Sequence, residues 1–305
     1  MKTVSLGARG GKVRAGDFAT PYVRGSGIGS WIDSLPKILA GNSFRSVVDA
    51  LVAARHKGKR TIWGMGGHVV KCGLAPVLIR LMDLGYVNAI AMNGAAAIHD
   101  FEIALAGYTS EDVESVLPDG SFGSAEETGR EMNRAIAAGV ADGIGIGEAL
   151  GRSLEKMADA RYAGCSLLLQ AYQRPVPVTV HVALGTDTPH THPAADPSAI
   201  GRGTHFDFRL FCALVAELNE GGVYLNVGSA VLLPEVFLKA VSAARNLGHV
   251  LQNFTTVNFD FLQHYRPRVN VVERPHAASG GAGFSIVGHH ELMLPLLAAA
   301  LIERE

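Results

Sequence analysis

Four stretches of this chain gather side chains able to move protons, hold anions or bind metals. Residues 185–196 (GTDTPHTHPAAD) hold Asp187, His190 and His192. Neutral imidazoles beside a carboxylate are ordinary zinc or iron ligands, whereas in a polar loop the same groups can simply contact a substrate. Residues 93–102 (NGAAAIHDFE) set Asn93, Gly94 and Ala95 where a flat ligand could lie, then bring in His99, Asp100 and Glu102. His99 and Glu102, three apart, share one face of a helix, while an acid at Asp100 could equally serve a helix dipole. Residues 66–73 (GGHVVKCG) offer backbone amides to an anion or cofactor, with His68 and Lys71 beside them. Residues 279–291 (SGGAGFSIVGHHE) read as flexible up to Gly283, in the manner of a lid, and then present His289, His290 and Glu291 at a helix start. Either histidine could act as an acid or base near neutral pH. None of these is a P-loop or a GxGxxG turn, and Gly143, Gly145 and Gly147 do not follow a strand.

These loops need elements to position them. Apolar runs at 61–65, 87–92, 176–184, 223–227, 254–257 and 269–272 read as strands. Helical spacing recurs at 43–57, 74–84, 98–106, 207–219, 232–247 and near 290–302, and residues 124–173 read as mostly helical. Strands that are continuously apolar and alternate with helices specify an α/β fold: a doubly wound, mostly parallel, Rossmann-like sheet with helices on both faces. Ligands in such sheets bind outside the carboxyl ends of the strands. That rule selects the loops beginning at Gly66, Asn93, Gly185, Gly228 and Asn258. The expected organisation is a glycine-rich, extended arm over 1–42 and a single α/β domain over 43–305.

Composition narrows the partners. The 305 residues are 48% hydrophobic and carry a formal net charge of -1 with no basic run, so nothing points to nucleic acid or an anionic membrane. A small-molecule substrate is the expected partner. The three cysteines form no CxxC pair, the N-terminus lacks the apolar core of a secretory signal, and the longest apolar stretch (292–302) is too short to span a bilayer. A reducing cytoplasm is the expected compartment.

Over roughly residues 43–300 the order of loops resembles the deoxyhypusine synthase family. Gly66-Gly67-His68 stands where that family has a T-S-N loop, and Asn93-Gly94-Ala95-Ala96, followed by Asp100 and Glu102, is similar to its T-A-G-G with acids after it. Residues 182–188 (VALGTDT) resemble P-A-x-T-D-G-S, which makes Asp187 the best-matched polar residue. Residues 228–235 (GSAVLLPE) stand for G-G-G-V-x-K-H-H, with Pro234 or Glu235 replacing a catalytic histidine, and 294–300 (LPLLAAA) echoes the closing F-P-L-L-x-A-E helix.

The resemblance implies NAD against Gly66, Gly67, His68, Asn93, Gly94, Ala95, Gly228, Ser229 and Ala230, and a homotetramer with active sites at subunit interfaces. One departure is decisive: no lysine follows Lys239. The family's lysine imine is therefore absent, and the chain is expected not to modify a translation-factor lysine. The expected function is an NAD-dependent enzyme acting on a small polar, amine-bearing metabolite by oxidation, transfer or elimination. Asp187, Glu102 and Glu235 would orient the substrate, and His289 or His99 would move protons. Asp187 and His289 are expected in one pocket, and Gly94→Val is expected to block the cofactor with folding nearly intact. The alternative is a metal-dependent hydrolase or lyase built on Asp187, His190 and His192, with zinc or iron as its cofactor.

Overall fold

In the computed structural model, which describes residues 1–304, six strands form one sheet. They are β1 (Thr61–Met65), β2 (Ala89–Asn93), β3 (Val178–His181), β4 (Val223–Val227), β5 (Thr255–Asp260) and β6 (Ala282–Val287). Their order is β3-β2-β1-β4-β5-β6, and every neighbouring pair is parallel. This is the strand order of doubly wound dinucleotide-binding sheets, and it bears out the expected α/β class.

The strands read as unbroken apolar runs because both of their faces are covered. Trp63, Met65, Ile90, Met92, Leu225 and Val227 point into a core shared with helices Leu39–His56, Ala75–Asp83, Gly94–Ala106 and His290–Ile302. Ile62, Ala89, Ala91 and Tyr224 face helices Pro197–Ala216 and Leu232–Asn246. The small residues on this second face make room for aromatics. Tyr224 lies flat on Phe237, with ring centroids 3.8 Å apart and planes 5° from parallel, and edge-on to Phe211. Such pairs add to the area they bury.

Two segments differ from the sequence expectation. Residues 269–272, expected as a strand, lie in the π-helical segment Pro267–Glu273, where Thr256 Oγ1 donates to the Val271 carbonyl at 2.6 Å. The β-branched run signals burial, and tertiary packing overrides its strand propensity. Residues 279–291, expected as a mobile lid, contain β6, which pairs with β5 from Ala282 to Val287. Their glycines serve close approach: a side chain at Gly283 would overlap the Val272 carbonyl, and Gly281 turns at φ +83° against Phe254.

Smaller shifts have local causes. Helix Pro197–Ala216 starts ten residues before its expected position. Asp196 caps it, accepting from Ser198 N at 2.8 Å and Ala199 N at 3.1 Å, and Pro197 takes the first turn, where its missing N–H costs nothing. The arm is exposed over residues 1–26 apart from the half-buried Asp17 and includes the short helix Leu6–Arg9, while the helix Gly27–Ser34 buries Ile32 against the main core.

Candidate functional site

The strand order reverses between β1 and β4, so the crevice expected of this topology opens at their carboxyl ends. There the segments that follow the two strands close on each other. Gly66 N donates to the Val227 carbonyl at 2.9 Å, Gly228 N donates to the Phe259 carbonyl at 3.1 Å, and any side chain at Gly66 would overlap the Gly228 carbonyl. A Cβ on Gly67 would stand 3.0 Å from that of Ala95 and 3.1 Å from the His99 ring. These glycines therefore serve backbone packing first. The open space lies beside them, where Asn93, Gly94, Ser229 and Ala230 line a cavity of about 810 Å³ together with Asp187 and Glu235. That volume suits a cofactor or metabolite.

Asp187 is the polar centre of the region. It starts the short turn Thr188–Thr191, and its carboxylate lies over Gly94, the first residue of helix Gly94–Ala106. Asn93 caps this helix by accepting from Ala96 N at 2.9 Å, so its side chain is already committed. Asp187 Oδ2 is buried and has no hydrogen-bond partner; His190 Nε2, at 4.0 Å, is too far to supply one. Burial raises the Asp187 pKa above its ordinary value, against the opposing pull of His190 and Thr186. A carboxylate oxygen buried without a partner is costly, and an acid so perturbed in a cleft is a candidate for a functional site.

On the far side of Gly94, Asp187 also borders a second cavity of about 230 Å³, lined by Lys71, Ala95, His99 and Glu102. His99 and Glu102 lie within the helix rather than at its start. Thr109 joins them: its hydroxyl donates to Glu102 Oε2 and lies 2.7 Å from His99 Nδ1, and Thr128 donates to Glu102 Oε1 at 3.1 Å. Because the single Thr109 proton goes to Glu102, the His99 tautomer that fits donates from Nδ1 and leaves Nε2 as the acceptor. Burial raises the Glu102 pKa, yet the nearby His99 ring and the hydrogen bonds from Thr109 and Thr128 outweigh it and hold the carboxylate below its usual range. The set is a histidine held in the tautomer of a proton acceptor.

The remaining expected site residues fare differently. Glu235 reaches the rim of the larger cavity, but Lys239, Arg266 and Asn270 hold its carboxylate, and its pKa is lowered chiefly by Lys239. Asp100 is fully buried and accepts from Ser166 Oγ (2.6 Å), Leu167 N (2.6 Å) and Leu168 N (2.9 Å). It caps helix Leu167–Gln173, not its own helix. The HxH pair does not converge as a metal site, because His192 turns to Glu126 at 3.2 Å and accepts from Ala194 N at 3.0 Å.

Asp187 and His289 do not share a pocket. They follow β3 and β6, the opposite lateral edges of the sheet, and both cavities that Asp187 lines exclude His289. His289 instead stacks on Phe261, with centroids 5.5 Å apart and its side chain 63% exposed. Gly94→Val cannot act by blocking a cofactor alone, since any side chain there overlaps the Asp187 carboxylate.

Sequence reasoning passed over His181, Thr204, His205 and Phe208, which all line the larger cavity. His181 ends β3 and burial lowers its pKa to about 3, so it stays neutral and sits edge-on to Phe211. Its place at a strand's carboxyl end was the available signal. Thr204 and Phe208 are four apart on one helix, so they share a face that the sequence pattern can show.

No protein-family model and no curated protein matches the chain. Solved structures do. A LOR/SDH-type protein from Methanococcus maripaludis S2 aligns with TM-score 0.54 and 16% identity, over 88% of this chain and 71% of that one. AgrE in ternary complex with ornithine and NAD+ aligns with TM-score 0.53 and 17% identity over 86% of this chain, which spans 33% of AgrE. A deoxyhypusine synthase-type protein from Entamoeba histolytica aligns with TM-score 0.50 and 11% identity, over 93% and 96% of the two chains. At such identities the likeness shows the fold, and this chain has the deoxyhypusine synthase-like fold.

Proposed function

We propose that this chain is an NAD-dependent enzyme that acts on a small amine-bearing metabolite without a lysine imine. The observation that carries the reading is the bare, buried Asp187 Oδ2 between the two cavities. A substrate ammonium is the group that would complete it, since a charge-assisted hydrogen bond offsets the cost of that burial. The similarity of fold to a protein bound to ornithine and NAD+ supports both halves of the reading.

The residues fit a dinucleotide in a restricted sense. Gly94, Ser229 and Ala230 give the larger cavity a wall of small residues at the strand ends, and no bulky side chain of β2 or β4 intrudes on it. When bound there, NAD would supply a hydride acceptor. Asp187 would orient the substrate amine from the shared wall. His99 Nε2, its tautomer set through Thr109 and Glu102, would take the proton released as the substrate carbon is oxidised. Glu235 would act at the rim, and His289, which lines neither cavity, would take no part.

Calorimetry with NAD and a short diamine tests this. Wild-type protein should bind both, and Asp187→Asn should weaken the amine by roughly 10–100-fold, the loss of one hydrogen bond to a charged group, while NAD affinity is kept. Absence of NAD binding at millimolar concentration would refute the cofactor half. An amine affinity unchanged by Asp187→Asn would refute the substrate half.

A further inference from the structure

Away from both cavities, three side chains of metal-binding type converge at the mouth of the β1–β4 crevice. A nitrogen of His68, the thiol of Cys72 and a carboxylate oxygen of Glu291 all lie within 4.8 Å of one another. His68 and Cys72 are four apart across the short helix Gly67–Lys71, whose last turn is closed by Cys72 N donating to the His68 carbonyl at 2.9 Å. That spacing sets both side chains on one face. Glu291 comes from the other end of the fold, in the first turn of helix His290–Ile302.

We infer that His68, Cys72 and Glu291 form a binding site for a zinc-class divalent cation, with three protein ligands and a fourth position open to solvent. The donor set is what carries the choice of ion: one thiolate, one imidazole and one carboxylate suit zinc or its cobalt analogue and do not suit calcium or magnesium, which take oxygen. Geometry agrees. Cys72 Sγ and Glu291 Oε2 are 3.7 Å apart, and two such donors across a tetrahedral zinc stand about 3.6 Å apart, from bonds of about 2.3 and 2.1 Å. The third donor, on the exposed His68 ring, already lies within 4.8 Å of both.

Cys72 is half-buried, while His68 and Glu291 are exposed, so an ion can reach the site without opening the fold. Three ligands with an open position is the arrangement of reactive rather than purely structural zinc. The ion would also tie the loop after β1 to the last helix. His290, at the start of that helix, lies against Gly228, with its ring centroid 5.8 Å from that of His68. A hydrogen bond from the Cys72 thiol to Glu291 accounts for two of the three groups, and the tilted contact with His290 holds the His68 ring beside them.

The test uses the full chain, stripped with a chelator and titrated with Co²⁺ alone, with no nucleotide or amine present. One equivalent per chain should bind, with a thiolate-to-cobalt charge-transfer band in the near ultraviolet and the visible bands of a tetrahedral ion. Cys72→Ser should abolish the charge-transfer band. Glu291→Gln should keep that band and weaken binding by more than the roughly 10–100-fold that loss of an outer-shell partner costs. His192→Ala should change neither, and circular dichroism should show all variants folded. No stoichiometric binding, a band that survives Cys72→Ser, or loss of binding in His192→Ala would overturn the proposal. Because the cation is the only probe, a failure of the NAD reading leaves this result untouched.

Discussion

Two regions at the carboxyl edge of the same sheet hold their ionisable groups in opposite ways. Beyond β2 and β3, Asp100 and Asp207 are buried and fully engaged, while Asp187 is half-buried with its Oδ2 shut away from solvent. Asp207 Oδ2 accepts from Val180 N at 2.7 Å and Gly147 N at 3.0 Å, fixing helix Ile146–Met157 to β3. At the mouth of the β1–β4 crevice, His68, His289 and Glu291 stand in solvent and pair loosely. The buried region is built around its charges, so a carboxylate there without a partner, Asp187, is conspicuous. The open region can gain or lose a ligand with little effect on the core.

If that contrast is right, substitutions should sort by region. Asp100→Ala should have the largest effect, on the order of 4 kcal/mol of stability, because it strands the amides of Leu167 and Leu168 and the Ser166 hydroxyl in a dry interior. Urea unfolding measures it, and a cost under about 1 kcal/mol would break the comparison. Gly94→Val should come next, at about 1–3 kcal/mol of overpacking, with loss of amine binding as the Asp187 carboxylate is displaced.

The pH dependence of stability sharpens the same point. Burial raises the folded-state pKa of Asp207 to about 7 and that of Asp100 to about 6, each from 3.8. Between pH 3.8 and these values the native chain holds protons that the unfolded chain releases. The stability they contribute is therefore full below the unfolded pKa and is lost as pH rises through the folded one. Thermal unfolding should show stability falling over this window, and Asp207→Asn, whose amide oxygen can still accept from both amides, should flatten the fall. An unchanged profile would show that Asp207 does not titrate there.

Asp187→Asn should leave stability level or slightly higher, because Oδ2 forms no bond that the variant loses. A marked drop in melting temperature would make Asp187 structural and remove its claim as the amine site. Smallest of all, His289→Ala should change stability by no more than about 0.5 kcal/mol, as expected of an exposed side chain.

Much of the site was legible one loop at a time. The strand-end rule picked out Gly66, Asn93, Gly185 and Gly228, and the spacing of His99 and Glu102 put them on one face, as found. Thr109 escaped notice because an isolated threonine in a loop has no pattern, and its role exists only where the chain folds back over the helix. The glycine-rich run before His289 misled for a related reason: glycine marks mobility and close packing alike, and only the neighbouring backbone tells which applies.

The sequence by itself determined the class of fold. Strands covered on both faces must be apolar throughout, helices must carry a stripe, and those periodicities are local. Tertiary structure decided everything that depends on strand order. Crossovers carry β3 and β6 to opposite edges of the sheet, so Asp187 and His289, alike in their place after a strand, end up beside different loops, Asp187 over Gly94 and His289 on Phe261. The same crossovers bring Glu291 to Cys72 across 219 residues of chain. Whether a carboxylate is partnered, as Asp100 and Asp207 are, or bare, as Asp187 is, depends on backbone amides supplied from distant segments, and no spacing along the chain encodes that.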